Sequence, residues 1–218
     1  MLEIGAEVDP EVEAAFERWC EDQRSALLAL PGSVAARHFV RYAAHAGAGE
    51  NPKYMALFEL EAASALAPQV DADRDPPLPA ALSGRVHSRR ALYREIGASP
   101  QRRSPPTGAA ILHVTVDVAP GYRDAFLAWY AGVHVPAVLG APGMLGARRF
   151  ERVALAARPA RRAAHHSYCT LYEMEDARVI DRPELALAAS RGACPAELAP
   201  HRVACHQVYE EIGRAPAR

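Results

Sequence analysis

From Leu112 to Val118 apolar and polar residues alternate, with Leu112, Val114, Val116 and Val118 on one face and His113, Thr115 and Asp117 on the other. That period of two predicts a half-buried strand. Beyond it, Tyr122, Phe126, Trp129, Tyr130 and Val133 recur at helical spacing, and Pro142-Gly143 ends the helical region. Strand-length runs follow at Leu145 to Val153 and Tyr168 to Glu175, then a weaker helical region from Asp176 to Arg191 and a last strand from Arg202 to Glu211. The first hundred residues repeat this order. A strand at Leu2 to Val8 leads to a helix that Asp9 caps and Pro10 begins, with Val12, Phe16, Trp19, Cys20 and Gln23 at helical spacing. Val34 to Tyr42 and Tyr54 to Glu61 read as strands, whereas the expected second helix is broken by Asp75-Pro76-Pro77-Leu78-Pro79.

Direct alignment of the halves shows a duplication. At an offset of 110, Leu2 to Pro10 matches Leu112 to Pro120, and Phe16 and Trp19 match Phe126 and Trp129. At 111, Pro31-Gly32, Arg37 and Phe39 match Pro142-Gly143, Arg148 and Phe150; at 114, Tyr54, Leu57 and Glu59 match Tyr168, Leu171 and Glu173. At 116, Tyr93 and Glu95-Ile96-Gly97 match Tyr209 and Glu211-Ile212-Gly213. Monotonically growing offsets mark two diverged copies of one β-α-β-β-α-β unit. The expected fold class is α+β: two fused ferredoxin-like repeats packed sheet to sheet, residues 1–98 and 109–218, joined by a Ser-Pro-Arg linker at 99–108.

Composition narrows the chemistry. A net charge of −1 offers no basic excess for nucleic acid. No stretch reaches the roughly 18 apolar residues that would span a bilayer, and the acidic start lacks a signal-peptide pattern, so the expected location is cytoplasmic. Cys20, Cys169, Cys194 and Cys205 follow no regular spacing and read as free thiols. No G-x-G-x-x-G, P-loop, G-x-S-x-G or H-E-x-x-H motif occurs, which argues against the familiar nucleotide-binding, hydrolase and metalloprotease designs.

The runs Phe126-Leu127-Ala128-Trp129-Tyr130-Ala131-Gly132-Val133-His134-Val135-Pro136, Pro142-Gly143-Met144-Leu145-Gly146-Ala147-Arg148-Arg149-Phe150 and Tyr168-Cys169-Thr170-Leu171-Tyr172-Glu173 resemble the EthD-like branch of the dimeric α/β-barrel superfamily. The likeness covers nearly all of the second copy. The first copy departs where it matters: Arg24-Ser25-Ala26 replaces His134-Val135-Pro136, and one residue is missing soon after. The resemblance implies a barrel of two ferredoxin-like halves, here within one chain. It also implies a reaction range of cyclases, isomerases, cofactor-free monooxygenases and haem enzymes.

Six of the nine histidines fall in the second copy. His134, at the end of the first helix of that copy, is the expected general acid or base, with His113, Arg148 and Tyr172 as partners that hold a developing oxyanion. The repeated Arg37 and Arg148 also fit a structural role, pairing with Glu59 and Glu173. Trp129, Tyr130, Phe150, Tyr168, Thr170 and His206 are the expected substrate-binding residues. The His165-His166 pair, His201, Cys205 and His206 lack metal-ligand spacing, so no metal is expected. The leading expectation is a cofactor-free, small-molecule enzyme of secondary or catabolic metabolism: a cyclase, isomerase, lyase or monooxygenase with the second copy as the functional half. Alternatives are a non-catalytic small-molecule binding module and a haem enzyme with His134 or His206 as axial ligand. The expected assembly is a monomer with an internal pseudo-dimer, or a homodimer.

Overall fold

In the computed structural model, which describes residues 1–29, 32–45, 52–61, 78–99, 108–153 and 166–216, the alternating segments form the strands that their period predicts. The first half contains β1 (Leu2–Val8), α1 (Glu13–Leu28), β2 (Ser33–Arg41), β3 (Tyr54–Leu60) and β4 (Val86–Ser99). The second contains β5 (Ala110–Val118), α2 (Arg123–Trp129), α3 (Val135–Leu139), β6 (Met144–Arg152), β7 (Tyr168–Met174), α4 (Pro183–Arg191) and β8 (Arg202–Pro216). Asp9 caps a short 3-10 turn, Pro10–Val12, by accepting the Glu11 N–H at 3.1 Å, and α1 follows that turn. The weak helical region resolves into a 3-10 turn, Ala177–Asp181, and α4. The interrupted second helix of the first half and most of the linker fall at residues 62–77 and 100–107, outside the described residues.

Each half orders its strands alike, β4-β1-β3-β2 and β8-β5-β7-β6, with antiparallel neighbours throughout. The two sheets do more than face each other. β2 pairs with β8 and β4 with β6, so the eight strands close into one barrel. The long strands make this joint: β4 gives Val86 to Leu92 to β1 and Tyr93 to Ser99 to β6, while β8 gives Arg202 to Glu210 to β5 and Tyr209 to Pro216 to β2. Closure satisfies backbone groups that two separate sheets would leave open at four edges. It also explains why β8 runs five residues beyond its expected end at Glu211.

The pleat then sorts side chains into two layers. Inside the barrel lie Phe39, Met55, Leu57, Ala91, Tyr93, Ile111, Phe150, Cys169, Leu171 and Tyr209. Outside, Leu112, Val116, Tyr168 and Tyr172 pack under Phe126, Tyr130, Val135 and Val138 of the second-half helices, and Ala6, Val8 and Tyr54 under Phe16. No helix among the described residues is long and apolar enough to cross a membrane.

The repeated arginines face inward and their ion pairs cross between halves. Arg37 reaches Glu173 at 2.5 Å and Glu211 at 2.8 Å, and donates to the Gly108 carbonyl at 3.1 Å. Arg148 makes the matching pairs with Glu59 at 2.5 Å and Glu95 at 2.7 Å. Gly108 also donates its N–H to Glu173 at 3.0 Å, and a Cβ there would sit 1.9 Å from the Met174 carbonyl, so only glycine fits this joint. Each guanidinium also lies over the ring two residues on, Phe39 at 4.8 Å and Phe150 at 5.1 Å.

Removing one partner of a buried pair leaves the other charge uncompensated. Arg37→Ala is therefore expected to lower unfolding free energy by about 3–5 kcal/mol in urea titrations. Arg148→Ala is expected to cost only about 1–2 kcal/mol, because water screens the pair through a Glu95 side chain that is 39% exposed, against 3% for Glu173. Equal losses would show that solvent exposure does not grade the two joints.

Candidate functional site

Between α2 and α3 the second-half helix widens into a π turn, Tyr130–His134. In the first half α1 runs through the equivalent region as one α-helix. A π turn accommodates one extra residue in a helix. The repeat offset rises from 110 at Trp129 to 111 at Pro142, which places a one-residue insertion in that interval. Pro136 stands just past the turn and lacks the N–H that a regular helix would direct to Gly132.

His134 ends the π turn, half-buried, with its ring 5.0 Å from that of Tyr130 and 5.2 Å from that of Trp129. Its Nδ1 lies 2.8 Å from the Gly192 carbonyl just past α4, and a carbonyl only accepts, so Nδ1 carries the proton. Burial holds the imidazole below its ordinary pKa of 6.5; the Gly192 carbonyl opposes this and Arg202 adds to it. At neutral pH His134 is thus a neutral imidazole whose basic nitrogen is Nε2. A Cβ on Gly192 would lie 3.0 Å from the His134 Cα, so the close approach behind this bond requires glycine.

Behind His134 a polar chain runs into the sheet. Tyr172 donates to the Tyr130 hydroxyl at 3.1 Å, and Tyr130 also bonds Thr170. Burial pushes both phenols up, so they remain neutral donors. The Trp129 Nε1–H is buried and has no acceptor among the described residues. The repeat offsets place Arg24, Cys20, Ala56 and Phe58 where the second half has His134, Tyr130, Thr170 and Tyr172. Arg24 is ion-paired with Glu21. The polar chain therefore belongs to one half only.

The expected site residues divide between the two layers. His134, Trp129, Tyr130, Thr170 and Tyr172 come together outside the sheet. Tyr168 shares that face, where its hydroxyl accepts from Arg123 at 2.7 Å. His113, Arg148 and Phe150 lie inside the barrel and do not meet His134, because neighbouring residues of a strand project to opposite faces. This corrects the expected catalytic grouping: Arg148 is held by Glu59 and Glu95, and His113 by Glu3, at 3.0 Å from its Nε2. His206 is exposed on β8. His166 bonds Asp117 at 2.8 Å, and His165 lies outside the described residues. Sequence reasoning missed Gly192, which no motif marks, and the π turn, which the shift in offset does mark.

No family model and no curated protein matches the chain. Among solved structures it is similar to an anthrone oxidase-like protein, with TM-score 0.64 and 10% identity over 99% of this chain and 92% of that one. It is similar to a candidate monooxygenase from Fusobacterium nucleatum subsp. nucleatum, with TM-score 0.56 and 11% identity over 99% and 93% of the two chains. A mutant chlorite dismutase from Candidatus Nitrospira defluvii, in complex with cyanide, aligns with TM-score 0.51 and 10% identity over 97% and 90%. At these identities the shared property is the fold, a closed eight-stranded antiparallel barrel of tandem ferredoxin-like halves.

Nitrogen-15 NMR tests the assigned state of His134. The expected spectrum has the proton on Nδ1 and a titration midpoint below 6.5. A proton on Nε2 would overturn the assigned tautomer, and a midpoint above 6.5 would show that burial does not govern this imidazole.

Proposed function

We propose that the chain is a small-molecule enzyme of the EthD-like kind, in which His134 removes a proton from an activated carbon acid. The observation that carries this reading is the neutral, Nδ1-protonated His134 on a π turn that the first half lacks. Inserted π turns cluster at functional sites. In the proposed step, Nε2 takes the C–H proton and the electron pair moves onto the adjoining carbonyl as an enolate. The Trp129 Nε1–H, whose ring lies 5.2 Å from the imidazole and which has no acceptor among the described residues, donates to the developing oxyanion. That donor replaces Arg148 and His113 in the oxyanion role. Tyr130, Thr170 and Tyr172 hold the imidazole from behind.

The enolate then closes a ring, is reprotonated at another carbon, expels a leaving group or reduces dioxygen. Similarity to an anthrone oxidase-like protein favours an aromatic ketone with an acidic methylene as substrate.

Haem fits this place poorly. An imidazole fixed through Nδ1 suits an axial ligand, but on the sheet side Phe126, Tyr130 and Tyr172 fill the space.

Anthrone incubated with the protein in D2O supplies the test, read as methylene deuteration by NMR and as oxygen uptake. Wild type is expected to accelerate exchange, with kcat/KM falling as pH drops through a midpoint below 6.5, since only the neutral imidazole accepts a proton. His134→Ala is expected to lower the rate by about 10²- to 10⁴-fold with Tm preserved, and Trp129→Phe to lower kcat more than KM. An unchanged rate in His134→Ala would overturn the proposed base.

A further inference from the structure

At the centre of the barrel, on the opposite face of the sheet from His134, β1, β5 and β7 bring Glu3, His113 and Cys169 together. Their exposures are 3%, 1% and 1%. One ligand atom from each lies within 4.8 Å of the other two, and the His113 Nε2 and Glu3 Oε2 are 3.0 Å apart. The cluster thus offers one nitrogen, one oxygen and one sulfur, and it draws on both halves of the chain. Carboxylate, imidazole and thiolate are all zinc ligands at about 2.0–2.3 Å, which places donors of a tetrahedral site roughly 3.2–3.8 Å apart. Closing the wider pairs by about 1–1.6 Å at most, with the 3.0 Å pair opening slightly, would bring these three around one ion.

We propose that Glu3, His113 and Cys169 form a binding site for a single divalent cation of the Zn2+ type, shared between the two halves at the barrel centre. Binding forms one metal–oxygen, one metal–nitrogen and one metal–sulfur bond. The Cys169 thiol proton leaves to solvent, the proton now between the His113 Nε2 and Glu3 moves to Nδ1 or leaves with it, and His113 binds through Nε2 as the neutral imidazole. The buried phenol of Tyr93 shares the interior layer with Cys169. No motif spacing shows this set, because positions 3, 113 and 169 meet only through barrel closure.

Co2+ is the probe, since its bond to thiolate gives a near-ultraviolet charge-transfer band and its tetrahedral sites absorb in the visible. Because the cluster is enclosed, the full chain is unfolded in denaturant and refolded with and without Co2+. The expected result is one equivalent of Co2+ bound with both absorptions, displaced by Zn2+, and a Tm raised by roughly 5 °C or more when free ion exceeds its Kd about a hundredfold. Cys169→Ser is expected to fold, as judged by circular dichroism, and to lose the charge-transfer band. Glu3→Gln, which keeps a hydrogen-bonding group beside His113, is expected to weaken binding while retaining the band. Refolded wild type with neither absorption nor a change in Tm would overturn the proposal, and so would a charge-transfer band that survives Cys169→Ser. Because the wild-type spectrum is read directly, the test stands even if a variant fails to fold.

Discussion

Edge pairing between the halves is the constraint on which this molecule turns. A single ferredoxin-like sheet leaves two strand edges and one bare face to solvent, and each half is built to cover those of the other. β4 and β8 are long because each serves two sheets in succession, its first part hydrogen-bonded to its own half and its last part to the other. The crossing ion pairs reinforce the same joint. Arg37 reaches the second half's Glu173 and Glu211, and Arg148 the first half's Glu59 and Glu95. Pairs of this kind add less net energy than register, since a one-residue slip of β2 against β8 would turn Arg37 away from its carboxylates and bury it unpaired.

Closure frees the outside of the barrel to differ between halves. The packing of a helix on a sheet is local, so one copy can gain a π turn and a polar chain while the other keeps an unbroken helix and apolar substitutes. Tyr172 and Tyr130 show how closely the change is compensated. Each hydroxyl is buried, and each is satisfied by the other, with Thr170 as the third member. Such a cluster survives only if it is complete, because a buried hydroxyl without a partner costs about 1–3 kcal/mol. In the first half the whole set is replaced together, by Cys20, Ala56 and Phe58.

Strand positions, the repeat and the α+β class were legible because hydrophobic period and offset are local properties of the chain. The facing of β5 was legible too: His113 reads opposite the aliphatic residues Leu112, Val114 and Val116, and it lies opposite them, with those residues under the helices. What that opposite face meets was not legible. In an isolated sheet it is a surface, and only the pairing of β2 with β8 and β4 with β6 makes it an interior. That single non-local fact moves Arg148 and His113 away from His134 and separates residues that sequence reasoning grouped as one site. Gly192 was hidden for a similar reason, since its contribution is a backbone carbonyl 58 residues from His134.

Glu3 and His113 show what fusion makes available to this fold. They occupy equivalent positions in the two copies, offset by 110, and they touch each other. A residue that contacts its own repeat mate lies on the axis relating the halves. In a dimer of identical chains such a position sets like against like, carboxylate on carboxylate or imidazole on imidazole, which in a dry interior repels whenever both are charged. Within one chain the two positions are encoded separately, and the axis can hold an acid against a base. The same freedom gives Cys169 the repeat counterpart Met55, so the two equivalent interior positions hold a thiol and a thioether. The chemical asymmetry of this protein therefore extends from the helix layer to its axis, where a symmetric dimer of identical chains could not place it.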